Sequence, residues 1–444
     1  MRAFRLLFLA LAGSLVSGCG ERAQLPVSAG IGPDPVLPEP RSTLIPTVQI
    51  ADVVGWRGDA TPRAAAGLEV VAFARDLEHP RWLYVLPDGG VLVAESDTPP
   101  RPEASRGLRG WIASLLMGKA GSGGRSADRI TLLRDRDADG VADERRVFLH
   151  GLKSPIGMAL IGDTFFVANT DGVVRFPYAA GADRIEAEGV PVAALPAGDL
   201  NWHWTKSLTV GPDGEKLYAG VGSNSNVGEN GMAVEEGRAA VWEIDPEAGT
   251  ARMFARGLRN PVGIDVEPVS RRIWVAVNER DELGSDLVPD YMTALVEGGF
   301  YGWPYSYFGD HVDERVRPQR PDLVAEALVP DYALGAHTAS LGLAFAEPHA
   351  PLAPLYAEGA FVGQHGSWNR EPPSGYKVIF VPFAEGRPAG APLDVLDGFL
   401  DEEGNARGRP VGVALDHRRG LLVADDVGDT VWRVRAAPHP GGRE

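Results

Sequence analysis

A chain of 444 residues is long enough for two or three average domains, or for one large β architecture. Its formal net charge of −17 gives a surface that repels polyanions, which excludes nucleic acid as a partner. The 55 glycines and 36 prolines point to many tight turns rather than long helices, and the single cysteine excludes an internal disulfide.

At the start of the chain, Arg2 and Arg5 precede an apolar run, 6–16, that is too short to span a bilayer and reads as a signal-peptide core. The run ends in Leu15-Val16-Ser17-Gly18-Cys19, which looks like a bacterial lipobox. Residues 1–18 are therefore predicted to be a removed lipoprotein signal peptide, with Cys19 acylated as the mature N-terminus. Acyl chains would anchor the protein to a membrane on the periplasmic side. Gly20, in place of an aspartate, favours the outer membrane in a Gram-negative host. An ordinary secreted protein with a chance cysteine is the alternative. Residues 19–66 read as a tether and lead-in segment, since 21–46 are rich in proline and small residues without apolar periodicity. The globular part is expected over 67–437.

A strand–turn–strand pattern then recurs six times, at 82–95, 157–169, 207–221, 263–277, 342–345 continued at 360–363, and 412–424. In each, two short apolar runs flank a turn carrying Gly, Asp or Pro, and most copies are followed by an outer-strand pattern such as Val241-Trp-Glu-Ile244. About four strands per repeat predicts an all-β, six-bladed β-propeller. A plain β-sandwich is the alternative. Several copies share a lead-in, Ser154-Pro-Ile-Gly157, Asn260-Pro-Val-Gly263 and Arg409-Pro-Val-Gly412. In a propeller such segments open the innermost strands, so polar residues beside these prolines converge on the mouth of the central channel.

Two segments stand outside the repeat. Within 101–127, Leu108, Trp111, Ile112, Leu115 and Leu116 follow helical spacing, while Arg101, Arg106, Arg109, Lys119 and Arg125 make the stretch locally basic. A short helical insertion is predicted, lying at a membrane interface or packed on the propeller flank. The excursion 284–336 contains Gly298-Gly-Phe-Tyr-Gly-Trp-Pro-Tyr305, whose rings suggest a wall over the channel mouth; a plain structural loop is the alternative. Asp135-Arg-Asp-Ala-Asp-Gly140 with Asp143 is similar to a calcium loop, or is a solvated hairpin, since the closing glutamate is not at the expected distance. No P-loop, dinucleotide fingerprint or chain-borne nucleophile motif is present.

Six stretches in order carry a family resemblance. His79-Pro-Arg-Trp-Leu83, Ser154-Pro-Ile-Gly-Met-Ala159, Gly257-Leu-Arg-Asn-Pro261, Gly298-Gly-Phe-Tyr-Gly-Trp-Pro304, Gly363-Gln-His-Gly-Ser-Trp-Asn-Arg370 and Arg407-Gly-Arg-Pro-Val-Gly412 cover most of the chain after Gly67. Together they resemble the pyrroloquinoline quinone (PQQ)-dependent sugar dehydrogenases, in particular the sorbosone dehydrogenase branch.

The residues and the resemblance give the site expectations together. His203, in Asn201-Trp-His-Trp204, stands just before an inner strand and has a near-neutral pKa suited to taking a proton. The resemblance implies that it is the general base; a structural histidine between two tryptophans is the alternative. Arg259 offers a rigid fork and Asn260 a neutral donor, and the resemblance implies that the pair holds the quinone oxygens. Arg407 and Arg409 would then bind cofactor carboxylates, with surface charge balance as the alternative. His365, Arg370 and His337 are further cofactor candidates in the fifth blade. The resemblance also implies calcium, bound after the fourth inner hairpin near Glu279, Arg280 and Asp281. The implied activity is oxidation of a sugar or sugar aldehyde, with electrons passing to a cytochrome-type periplasmic acceptor. The rivals are a propeller lactonase-type hydrolase and a non-catalytic binding propeller.

Overall fold

The computed structural model describes residues 21–41, 47–99, 124–347, 349 and 352–438. The expected signal peptide, Cys19 and most of the expected helical insertion lie outside the described residues. Among those described, no helix is long and apolar enough to cross a membrane.

Six antiparallel sheets form the six expected blades. Blade 1 runs Pro80–Val85, Val91–Glu95, Arg129–Arg134 and Glu144–Leu149, and blade 2 runs Gly157–Ile161, Thr164–Asn169, Gly172–Pro177 and Val190–Ala194. Blade 3 is Leu208–Val210, Leu217–Val221, Ala240–Asp245 and Thr250–Arg256. Blade 4 begins with Pro261–Val266, Ile273–Val277 and Pro289–Ala294, and its fourth strand, Tyr332–Ala336, comes only after a long excursion. Blade 5 is Ser340–Phe345, Gly359–Gln364, Lys377–Ala384 and Leu393–Asp397. Blade 6 takes Pro410–Leu415, Leu421–Asp425 and Thr430–Ala436 from the C-terminal end, and Leu68–Ala74 from the N-terminal end closes it.

In blades 1, 3, 4 and 6 every residue of the second strand is buried, on both faces, as stacked sheets require. The core therefore lies between blades. Phe148 and Phe165 meet between blades 1 and 2, Trp274 and Phe383 between 4 and 5, and Phe361 and Trp432 fill the gap between 5 and 6. Val262, Leu341 and Val411, from three inner strands, join Trp82 in a small apolar cluster in the channel. The start of every inner strand and the end of every second strand lie at one face, called here the mouth face.

The segment expected to be a free tether is packed on the propeller over its described part. Ile31–Gly32 pairs with Tyr332–Ala336 as a fifth strand of blade 4, and Arg63–Ala64 pairs with Leu393–Asp397 of blade 5. Between them the chain is held at Leu283, Trp368 and Ala406, so it forms a belt along the rim of blades 4, 5 and 6. Two-residue strands and single backbone bonds leave no periodicity in sequence, which is why composition alone suggested a tether.

Candidate active site

The lead-ins to the inner strands do converge at the mouth, in two connected halves. The first is built by blades 3, 4 and 5. His203 lies against Ser223, its Nδ1 2.8 Å from the Ser223 carbonyl and 3.1 Å from the Ser223 hydroxyl. With Nδ1–H donating to that carbonyl, Nε2 is left as the lone-pair nitrogen. Burial first, and then the Arg259 charge, hold the His203 pKa well below the usual histidine value, so the ring is neutral at neutral pH. Gly222 lets the site close up: a Cβ there would collide with Asn260 Oδ1 and His203 Cβ, so these two side chains are near neighbours.

Arg259 is 3% exposed and is fixed from several sides. Nη1 donates to the Glu279 carbonyl (2.7 Å) and to Asn278 Oδ1 (3.2 Å), while Nη2 donates to Asn226 Oδ1 (3.0 Å) and lies 3.4 Å from Asp281 Oδ2. Asp281 in turn accepts from Asn369 Nδ2 (2.8 Å) and stands 3.5 Å from His337 Nδ1. Burial opposes ionisation of Asp281, but His337 and Arg259 hold its carboxyl below the usual range. Burial likewise opposes protonation of His337, yet the bond and charge of Asp281 raise its pKa. Asn260, also buried, has an Oδ1 with no hydrogen-bond partner.

The second half is built by blades 1, 5 and 6 around Asp426. Arg81 Nη1 donates to Asp426 Oδ2 (2.6 Å), His365 Nε2 lies 3.0 Å from it and His79 Nε2 3.6 Å. Burial opposes the charge, but His365, His79 and Arg81 keep Asp426 ionised, far below the usual carboxylate range. The Arg81 guanidinium also sits over the Trp204 ring, which links this half to the His203 segment. Behind Trp204, Lys206 is fully buried with Nζ on the Trp204 carbonyl, and burial with the Arg238 charge pulls its pKa down to about 7. Arg409 is 3% exposed, stacks on Tyr376, and leaves Nε and Nη2 without partners. Leaving such charged donors unmet in a buried place costs free energy that an anionic ligand would recover.

The expectations for Arg280, Glu279, Arg370 and the aromatic wall are corrected by this geometry. Arg280 does not face the mouth: its side chain is fully buried, bound to Glu279 and Asp313 and to the Pro304 and Ser306 carbonyls. Glu279 binds Arg280 through Oε2, so only its carbonyl faces Arg259. Arg370 is spent on the belt, donating to the Pro372 and Leu25 carbonyls and pairing with Asp286. Phe300, Tyr301 and Trp303 are buried rather than presented as a wall, and Trp303 Nε1 supports the Asn226 carbonyl behind Arg259. Arg407 is half-buried, with its N–H on the Phe399 carbonyl. Asp135, Asp137 and Asp143 bring carboxylate oxygens within 4.8 Å of one another, but at the face opposite the mouth, and Asp135 also accepts from Arg418.

Sequence reasoning missed Asn226, Asp426, His79 and Arg81 as site residues. The last two flank Pro80, the same lead-in signature as in three other blades, and could have been found by it. Asn226 and Asp426 carry no local signature, because each earns its place only from across a blade boundary.

Comparison with known sequences matches residues 63–297 to a family described as a domain of unknown function (DUF7133), and residues 323–437 to one described as TrAA12-like. An uncharacterized protein of Borreliella burgdorferi is 29% identical over 244 residues, covering 54% of this chain and 63% of that one. A pyrroloquinoline quinone-dependent pyranose dehydrogenase of Coprinopsis cinerea is 27% identical over 223 residues, covering 41% of this chain and 30% of that one. The chain thus spans less than two thirds of the length of these relatives. Among solved structures, the holo form of the Coprinopsis cinerea pyranose dehydrogenase PQQ domain superposes with a TM-score of 0.67 at 20% identity, covering 87% of this chain and all, 100%, of that one. A calcium structure of the Trichoderma reesei carbohydrate-active enzyme family AA12 gives 0.67 at 18% identity, over 85% and 97% of the two chains. These likenesses establish the six-bladed fold and its resemblance to PQQ-dependent sugar dehydrogenases, and the profile match over 63–297 shows that the chain belongs to the DUF7133 family.

Proposed function

We propose that this protein is a PQQ- and calcium-dependent dehydrogenase of sugars or sugar aldehydes, of the sorbosone or aldose type, that passes electrons to a cytochrome-type periplasmic acceptor. The observation that carries this reading is the buried Arg409, with Nε and Nη2 unpartnered, at the same mouth as a neutral, oriented His203. The donor set suits a planar tricarboxylate: Arg409 and Arg407 for carboxylates, with His365 and Arg81 nearby, and Arg259 and Asn260 for ring oxygens. Calcium has oxygen donors of the right hardness in the carbonyls of Asn278 and Glu279 and in Asp281, which Arg259 now engages. Similarity to the PQQ-dependent Coprinopsis enzyme supports the quinone, and similarity to the calcium structure from Trichoderma supports the metal. The quinone, when bound, supplies a hydride acceptor.

The chain's own residues do the rest. His203 Nε2 takes the hydroxyl proton of the substrate, and Ser223 holds the ring so that this nitrogen points away from Nδ1. Arg259, braced by Asn226 and Asp281, presents fixed positive charge where negative charge develops, without reorganising at the moment of reaction. A lactonase would need several carboxylates converging on one metal, whereas Asp281 and Asp426 stand in separate halves of the mouth, each among arginines and histidines.

The test is titration of the purified protein with PQQ and calcium, followed by dye-linked oxidation of aldoses and sorbosone. Quinone-dependent dye reduction is expected. Each charge-assisted bond from Arg409 is worth about 1.5–3 kcal/mol, so a folded Arg409→Ala should bind the quinone roughly 10–100-fold more weakly. Unchanged affinity in that variant, or no quinone binding by the wild type, would remove the cofactor from this site.

A further inference from the structure

The mouth face carries features from separate parts of the chain that share one chemistry. The described chain begins at Glu21, whose carbonyl accepts from Ser285 Oγ (2.9 Å) and whose carboxylate accepts from the Ser285 N–H (2.6 Å). Ser285 follows the second strand of blade 4, on the mouth rim. In the sequence, Cys19 stands two residues before Glu21.

Among the described residues, the two tryptophans left exposed, Trp202 at 45% and Trp368 at 36%, both stand on this face. Trp202 precedes the inner strand of blade 3, and Trp368 follows the second strand of blade 5. The belt adds exposed valines beside Trp368: Val48 one residue before Gln49, whose N–H bonds the Trp368 carbonyl, and Val53 and Val54 at Ala406. Exposed tryptophans with an apolar body and a polar N–H are the side chains favoured at a membrane interface. A net charge of −17 gives no general attraction to anionic lipid, so this face would be held by acyl chains and apolar contacts.

We propose that the mouth face docks on a lipid bilayer, so that the site opens toward the membrane rather than away from it. This rests on the reading of Cys19 as an acylated N-terminus. The occupant is the headgroup interface of the membrane carrying the anchor, and redox partners reach the channel from the membrane plane.

Because Cys19 is the only cysteine, an acylated chain has no free thiol, and single probes can be placed at will. Val48→Cys on the mouth face and Val269→Cys in the opposite-face turn of blade 4 would each be labelled with a polarity-sensitive fluorophore. The full acylated protein is then bound to phosphatidylethanolamine–phosphatidylglycerol vesicles containing spin-labelled lipid. Quenching at least three-fold stronger at position 48 than at 269 is expected. Val53→Cys and Leu355→Cys form a second pair should either variant fail to fold. Equal quenching, or stronger quenching at the far face, in protein that floats with the vesicles would overturn the orientation. A mature N-terminal peptide without acyl mass would overturn the anchor itself, and the proposal with it.

Discussion

A methyl group at Gly222 would fall inside the space of Asn260 Oδ1 and His203 Cβ, which makes this glycine a direct gauge of how finely the mouth is set. Gly222→Ala must push one or both side chains aside, and misplacement of about 1 Å costs on the order of 10²-fold in rate. The expected outcome is that loss in the rate of quinone reduction with little change in melting temperature. A wild-type rate would mean that His203 and Asn260 need not be held together. His203→Ala should cost roughly 10²–10⁴-fold in kcat and kcat/KM together, since proton removal belongs to the transition state. Burial and Arg259 both disfavour the imidazolium, so activity should persist to a pH below the ordinary histidine range and fall only as pH drops through that lowered value. Arg259→Gln should move this acid limb toward higher pH, read by stopped-flow over a pH series. At this scale the sequence named His203, Arg259, Asn260 and Arg409 because lead-ins to inner strands have a position in the fold. It misassigned Arg370 and Arg280, because an arginine's neighbours across the fold, Asp286 and Asp313 here, decide whether its fork faces a ligand or the interior.

Elements that join distant blades were the least legible. The belt is held by bonds of three kinds: backbone pairs at Ile31–Gly32 and Arg63–Ala64, the Arg370–Asp286 pair around Leu25, and Trp56. Trp56 donates from Nε1 to Asp425 Oδ2 (2.7 Å), and its ring meets Trp432 and Phe399 edge-on. Asp425 gathers three further N–H donors, from Arg409, Gly428 and Trp432, so one buried carboxylate ties the belt to the segment bearing Arg409. Trp56→Phe keeps most of the ring contact and removes one bond to a charged acceptor, worth about 1.5–3 kcal/mol. Faster tryptic cleavage after Arg57 and Arg63 is expected, with weaker quinone binding through the loosened Arg409 backbone. Unaltered cleavage would show that the short strands alone fasten the belt. Hairpin periodicity, by contrast, was readable, because the inner pair of strands lies within 17 residues of sequence in every blade but the fifth, where an insertion lengthens the turn.

Closure of the ring is the property that no local pattern could reveal, since Leu68–Ala74 pairs with Thr430–Ala436 across nearly the whole chain. The register sets Trp432 opposite Ala72 and Glu69 opposite Arg435, and Arg435 Nε donates to Glu69 Oε1 (2.5 Å). Strand pairing alone would leave a two-sided seam; what fastens it is Phe73, 3% exposed in the cluster that joins blade 6 to blade 1 through Leu83, Val93, Leu133, Leu422 and Val431. The Asp426 half of the mouth depends on that seam, because His79 and Arg81 come from one side of it and Asp426 and Arg409 from the other. Phe73→Ala removes a buried ring from a well-packed gap, for which the cost is about 3–5 kcal/mol. Chemical denaturation should show that loss, and amide exchange should rise first in blades 6 and 1 while blade 3 keeps its protection, as local opening at a seam requires. Quinone affinity in the fraction that stays folded should be close to wild type, since Phe73 touches no mouth residue. A cost below about 1 kcal/mol, or exchange rising equally in all blades, would place the weak point of the ring elsewhere than at its closing strand.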